Sequence, residues 1–298
     1  MDLLTFIPRI ANFDSAYTYL TERNVLRSQP PECTVCRRLM TIVNDASLVL
    51  DGCKWRCPAK HQKKSVRSGS YFAGSHLPLP KIALLAYLWS HSTPLHTAAV
   101  QSGISQQSIV DWYCYFRNAC SHELLRDPIQ LGGQGRIVEI DESLFTKAKY
   151  NRGRNLIAPQ RWVFGLYDVE RKIGILQFVE DRSAETLLPI IQEHCIPGTI
   201  IHSDSWRAYN AISDIPVQPR FIHQVVNHNE HFVDPVTGAT TNRCEAFWSR
   251  AKSKFKIMSG TIEQWKASHL DEFMWRQFHG DDALESLWRI LNIDNAWW

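Results

Sequence analysis

An α/β domain on a mixed five-stranded sheet, preceded by a cysteine-rich ribbon and a helix-turn-helix, is the architecture the sequence predicts. Three observations predict it. Four cysteines fall in two close pairs, Cys33/Cys36 and Cys53/Cys57. Apolar residues between Pro78 and Cys120 recur at helical spacing, with breaks at Thr93-Pro94 and Gly103. Beyond the glycine-rich stretch Leu131–Gly135, three β-rich runs come in succession, and further runs then alternate with a helical pattern. The segments implied are an N-terminal helical stretch (1–30), a ribbon (31–72), a helical pair (78–125), the α/β domain (132–260) and a C-terminal helical stretch (261–298).

Composition bounds the function. With 298 residues, 44% of them hydrophobic and 11% aromatic, the chain can bury a core in each of two or three domains. A net charge of +3 is only mildly basic, so affinity for nucleic acid has to come from local patches. One such patch is Thr21–Ser70, where ten Lys or Arg face four acids; the remainder of the chain is slightly acidic. Met1–Arg9 lacks the features of a secretory signal, and the apolar run Ile82–Trp89 is too short to span a bilayer. The expectation is an unexported chain with no membrane partner, whose eight cysteines serve as thiols or metal ligands.

In chain order, Asp14–Asn24 reads as a short helix capped by Asp14 or Ser15. The two cysteine pairs, joined by a hairpin-like segment with Asp51-Gly52 at its turn, suit a tetrahedral Zn2+ site of Cys33, Cys36, Cys53 and Cys57. An arrangement with His61 replacing one sulfur is the second possibility the residues allow. Arg37, Arg38, Lys54, Arg56, Lys63 and Lys64 around these pairs are candidate phosphate contacts, although a zinc ribbon can equally act as a folding staple. Pro80 opens a helix, Thr93-Pro94 a second, and Ser105 caps a third after Gly103. The last two form the helix-turn-helix, with Gln106 and Gln107 at positions that can read base edges or simply face solvent.

In the α/β domain the strands are read at Arg136–Ser143, Trp162–Asp168, Lys172–Val179, Thr199–His202 and Phe221–Val226, with helices at Ser183–Cys195 and Asn242–Ile257. A three-stranded meander followed by alternating helix and strand is the order of an RNase-H-like domain. This order brings Asp141, Asp204 and Glu245 toward one sheet edge. Singly, each acid has an ordinary explanation: a strand end, a helix cap, and a capping box with Asn242. Glu142 rivals Asp141, but neighbours on a strand face opposite ways, so only one of them joins a site.

Four segments carry a resemblance: Val138-Glu139-Ile140-Asp141-Glu142; His202-Ser203-Asp204-Ser205-Trp206 with Tyr209; Val226-Asn227-His228 with Phe232-Val233; and Thr241-Asn242-Arg243-Cys244-Glu245-Ala246-Phe247-Trp248. They resemble the DDE transposases of the Merlin superfamily and their bacterial insertion-sequence relatives. The likeness extends upstream to the cysteine pairs, to Gly69-Ser70-Tyr71-Phe72 and to the Trp112–Cys120 stretch. It implies a cut-and-paste transposase that cleaves double-stranded DNA at transposon ends and joins them to target DNA. Its active site would hold two Mg2+ or Mn2+ ions on Asp141, Asp204 and Glu245, and the family motif favours Asp141 over Glu142.

His228, just past the fifth strand, and Asn242, one turn before Glu245, are the accessory candidates. Arg250, Lys252, Lys254 and Lys256 line the Glu245 helix, and Lys147, Lys149, Arg152 and Arg154 follow the first strand; beside an acidic site both runs would hold phosphates. The aromatic stretch after Gly260 reads plainly as packing against the core; a homodimer or higher oligomer is also expected, to which Trp288 and Trp297-Trp298 could instead contribute. The site of action is the nucleus, or the cytoplasm for a bacterial source. The competing readings are a domesticated DNA-binding protein that no longer cuts, and a related RNase-H-like nuclease.

Overall fold

The computed structural model describes residues 1–45, 48, 50–146, 161–227, 230, 232–258 and 261–294. They divide into two compact units, residues 1–120 with 281–298, and residues 121–280.

The first unit opens with α1 (Leu3–Phe6) and a 3-10 turn at Ile7–Ile10, followed by α2 (Phe13–Thr21). The cap of α2 is Asn12, earlier than Asp14 or Ser15: the Asn12 side chain accepts from the Ser15 N–H at 2.9 Å, and Ser15 Oγ accepts from the Asn12 N–H at 3.1 Å. Two orphan donors are satisfied by that exchange, and a cap at Asp14 would have left them bare. The ribbon is a three-stranded antiparallel sheet of β1 (Thr41–Asn44), β2 (Cys53–Arg56) and β3 (Lys63–Ser65). Next come α3 (Leu79–Ser90), α4 (Leu95–Ser102) and α5 (Gln106–Arg126). Gly103 ends α4 with φ +64°, a left-handed position that favours glycine, and Ser105 Oγ accepts from the Ser108 N–H at the start of α5.

In the second unit, β4 (Leu131–Gly132) pairs with β8 (Cys195–Ile196). The main sheet comprises β5 (Ile137–Thr146), β6 (Arg161–Asp168), β7 (Ile173–Val179), β9 (Ile200–Asp204) and β10 (Ile222–Val226). Its order is β10-β9-β5-β6-β7: β5, β6 and β7 form the antiparallel meander, and β9 and β10 add parallel to β5 and to each other. This is the RNase-H-like sheet that the order of the strands predicts. The helices are α6 (Ala184–His194), a 3-10 helix at Arg207–Asp214, α7 (Asn242–Ile257) and α8 (Lys266–His279).

Glycines set how closely α7 approaches the sheet. A Cβ at Gly165 would lie 3.0 Å from Cys244 Sγ, and one at Gly174 would lie 2.7 Å from the Phe247 ring. The core between them is dry: Cys244, Phe247 and Ala251 of α7 are all fully buried.

The last helix, α9 (Ala283–Ile290), belongs to the first unit. Trp288 is 1% exposed and its indole N–H donates to Tyr19 Oη at 3.0 Å, while Arg23 grips Glu285 through two nitrogens. Trp288 is therefore a core residue of its own chain, as the plain reading of the aromatic C-terminal stretch has it, and not a dimer contact. Trp297 and Trp298 lie outside the described residues.

Candidate active site

Strand β5 and helix α7 run side by side as a ladder. Alternate residues of a strand share a face at about 6.6 Å spacing, and every fourth residue of a helix returns at about 6 Å, so the two repeats stay in step. The rungs are Glu139 with Arg243 and Cys244, Asp141 with Trp248, and Ser143 with Lys252.

The first rung fixes the start of α7. Thr241, its N-cap, offers no side-chain cap. Glu139 reaches across from β5 instead and accepts the Arg243 N–H at 2.7 Å, the Cys244 N–H at 3.1 Å and the Arg243 guanidinium at 2.7 Å. A fully buried carboxylate at a helix N-terminus is favoured by both the orphan donors and the macrodipole. Since Glu139 supplies the cap, the Asn242–Glu245 capping box is not formed. Glu245 is left half-buried in the first turn, with Thr241 Oγ1 at 3.5 Å from its carboxylate.

The second rung holds Asp141, whose carboxylate accepts the Trp248 indole N–H at 3.0 Å. Asp204 arrives from the neighbouring strand. The register pairs Glu139 with His202, and two further residues bring Asp204 level with Asp141. Asp204 spends one oxygen on the Trp206 N–H at 2.9 Å. Glu142 faces the other way, as strand alternation requires, and hydrogen-bonds Tyr209 on the 3-10 helix.

Electrostatics tie the acids together. Burial pushes the Asp141 carboxyl up to about 7; the Trp248 N–H opposes this, and the charges of Glu142, Glu245 and Asp204 add to it. Burial also raises Glu142, with the Tyr209 hydroxyl opposing it and Asp204 adding to it. Like charges gathered in a partly desolvated spot, all on hard oxygen donors, fit a site for divalent Mg2+ or Mn2+.

Other predicted residues are placed as follows. Asn242 is exposed at the head of α7, one turn before Glu245. His228 and the run Lys147, Lys149, Arg152 and Arg154 lie outside the described residues. Arg250 and Lys256 are exposed on α7. Three candidate DNA contacts are engaged inside the fold instead. Lys54 pairs with Asp45, Lys254 binds the buried Glu272 at 2.8 Å, and Lys252 donates to Ser143 Oγ at 2.6 Å with its ammonium 4.1 Å from the Trp248 ring. Gln106, Gln107, Arg37, Arg38 and Lys63 are exposed, whereas Arg56 and Lys64 are half-buried.

Sequence reasoning placed Glu139, Trp248, Tyr209 and His202 within the family-like segments but gave none of them a role. His202 is buried and held neutral by that burial; its ring contacts Gln224 at 3.0 Å and the Thr240 N–H at 3.4 Å, steadying the approach to α7. The signal for Glu139 was present: an acid two residues before Asp141 shares its strand face.

The ribbon corrects one ligand. Cys33, Cys36, Cys57 and His61 bring their donor atoms within 4.8 Å of one another, and Cys53 is not among them. Cys53 opens β2 and Cys57 follows its end, and four residues of strand span about 13 Å, too far for one ion. The second knuckle is instead the turn Cys57–His61, with Lys60 at φ +61°, matching the turn Cys33–Cys36 followed by Arg37 at φ +59°. A tetrahedral Zn2+ holds its sulfurs about 3.8 Å apart, and Cys36 and Cys57 Sγ stand at 3.5 Å. Burial tends to raise the Cys57 thiol, but the His61 N–H and the neighbouring thiols bring it down to about 7, whereas burial and Asp51 raise Cys53.

Residues 130–277 match the family described as the ISXO2-like transposase domain. A transposase-like protein of uncharacterized function from Haemophilus influenzae is 31% identical over 98 residues, 33% of this chain and 75% of that protein. Among solved structures, the HTLV-2 integrase catalytic core with magnesium aligns at 10% identity and a TM-score of 0.30, over 48% of this chain and 84% of that one. The Mos1 transposase paired-end complex with left transposon end aligns at 13% identity and a TM-score of 0.26, over 73% and 79%.

Proposed function

Because the chain belongs to the ISXO2-like transposase family, we propose that it is a cut-and-paste DNA transposase of the Merlin type, acting through Asp141, Asp204 and Glu245. One observation supports the reading: burial raises the Asp141 carboxyl on β5 to about 7, and the charges of Glu245 on α7 and Asp204 on β9 add to that rise. Two Mg2+ or Mn2+ ions held by this trio would stabilise the charge that builds on the attacking and leaving oxygens of an in-line phosphodiester displacement. The chain's own residues prepare the place. Trp248 fixes the Asp141 carboxylate, Glu139 sets the height of α7 and hence of Glu245, and Lys252 puts a cation over Trp248 beside the acids. His228 and Asn242 are the accessory residues for the scissile phosphate or the leaving oxygen.

The first unit supports DNA binding. On the ribbon, Arg56 and Lys63 stand directly opposite each other, and like charges at that position are tolerated when an anion lies over them. The α4–α5 pair exposes Gln106 and Gln107 at the head of its second helix. Among the described residues no helix is long and apolar enough to cross a membrane. Two ends held together call for a homodimer or higher oligomer, and the reading places the protein with its DNA, in a nucleus or a bacterial cytoplasm.

The test is strand cleavage and joining on transposon-end DNA in Mg2+ or Mn2+, with wild type, Asp141→Asn, Asp204→Asn and Glu245→Gln. The expected result is cutting and joining by wild type, and a loss of at least about a thousandfold in each variant with DNA binding retained. Equal DNA binding by all four with no cutting by any would leave a domesticated binding protein as the better account.

A further inference from the structure

On the sheet face opposite α7, a cleft of about 650 Å3 is lined by Trp162, Glu180, Arg182, Trp206, Arg207 and Asn210 among others, and Asp204 precedes its Trp206 by two residues. Its centre is a stack. The Arg182 guanidinium lies 4.1 Å from the centre of the Trp162 ring and 4.4 Å from that of Trp206, and the Trp206 indole N–H donates to the Arg182 carbonyl at 3.0 Å. A large aromatic residue is thus held rigidly while remaining 37% exposed. Neither the carboxylate trio nor the core makes use of that surface.

We propose that this cleft receives one unpaired base of the DNA strand whose phosphate lies at the carboxylates, stacked against Trp206. The inference rests on the transposase reading for its substrate class. The cleft volume falls within the range of about 300–1,000 Å3 of sites that hold a small organic ligand. Its charges disfavour a phosphate track: Glu180 and Asp181 offset Arg182 and Arg207. An uncharged ring with polar edges matches better, because an exposed indole stacks on any base and the exposed Asn210 carboxamide can meet a base edge. Position agrees with this. The Trp206 N–H is bonded to the Asp204 carboxylate, and the two residues are separated by at most about 7 Å of chain, which puts Trp206 close along the chain to a phosphate held at Asp204. A paired base has its faces covered and its edge engaged, so the occupant must be unstacked from the duplex.

The experiment uses the zinc-loaded full chain in Ca2+, with three probes: a blunt duplex, the same duplex with a three-nucleotide tail carrying 2-aminopurine at its first unpaired position, and that tail with an abasic site instead. The expectation is about tenfold tighter binding of the tailed probe than the blunt one, with the 2-aminopurine emission quenched. The abasic tail should fall to the blunt level. Trp206→Ala should lose the preference and the quenching while binding the blunt duplex as wild type does. Equal affinity for blunt and tailed probes, or an abasic tail bound as tightly as an intact one, overturns the subsite. If Trp206→Ala does not fold, the abasic probe decides without any substitution. Cleavage in Mg2+ is scored separately. A wild type with the base preference that never cuts overturns the transposase reading and leaves the subsite standing, whereas one that cuts without the preference overturns the subsite alone.

Discussion

Glu139 is the residue on which the geometry of the site turns, although it belongs to none of the proposed metal ligands. It is buried on β5 and accepts three hydrogen bonds from the first turn of α7, the turn that also carries Glu245. Removing it leaves two backbone donors and a guanidinium without their partner. Glu139→Ala should therefore cost about 3 kcal/mol in urea unfolding and abolish cleavage more completely than it weakens DNA binding. Glu139→Gln keeps an acceptor and should cost less than half as much. An alanine variant with unchanged stability would show that α7 is held by its apolar face alone. The same residue shows why part of the site was hidden. Asp204 ends β9 and Glu245 lies in the first turn of α7, so their places were legible, whereas Asp141, read as a strand end, lies in the middle of β5, which runs on to Thr146. A buried acid inside a strand looks like noise until the helix it caps is seen. Trp248 likewise reads as a core aromatic on a helix, and only the ladder reveals its bond to Asp141.

At the scale of elements, the predictable features were those with a single period. The meander β5-β6-β7, the parallel additions β9 and β10, and α7 all stand within a few residues of the sequence reading. The ribbon knuckle failed because spacing was read without its conformation. Cys53 and Cys57 sit in a familiar pattern, yet the strand between them holds them apart and the turn after Cys57 delivers His61. Zinc content decides this. Cys53→Ser should retain one Zn2+ per chain, while Cys57→Ser or His61→Ala should lose it and unfold the ribbon, as measured by colorimetric zinc release and circular dichroism. Zinc lost from Cys53→Ser but kept in His61→Ala would restore the four-cysteine site. The basic face of α7 was also overread. Helical periodicity put Lys252 and Lys256 on the Glu245 face with Arg250 and Lys254 beside it, but Ser143 and Glu272 engage the Lys252 and Lys254 ammonium groups.

At the scale of the whole chain there are two compact units, one carrying the ribbon and the α4–α5 pair, the other Asp141, Asp204 and Glu245. The return of α9 to the first unit was not legible, since its apolar positions fit any core; the Tyr19–Trp288 bond and the Arg23–Glu285 pair decide it. We hold that Asp141, Asp204 and Glu245 form one cation site, a claim that counting Mn2+ by electron paramagnetic resonance on zinc-loaded protein can decide. Asp141 must lose its proton to bind, and burial and its neighbours raise that carboxyl to about 7. Mn2+ affinity should therefore rise about tenfold per pH unit below 7 and level off above it, with at least one ion bound to wild type and that ion lost in Asp141→Asn. Mn2+ bound equally by wild type and Asp141→Asn, with no change in affinity between pH 6 and pH 8, would contradict the claim.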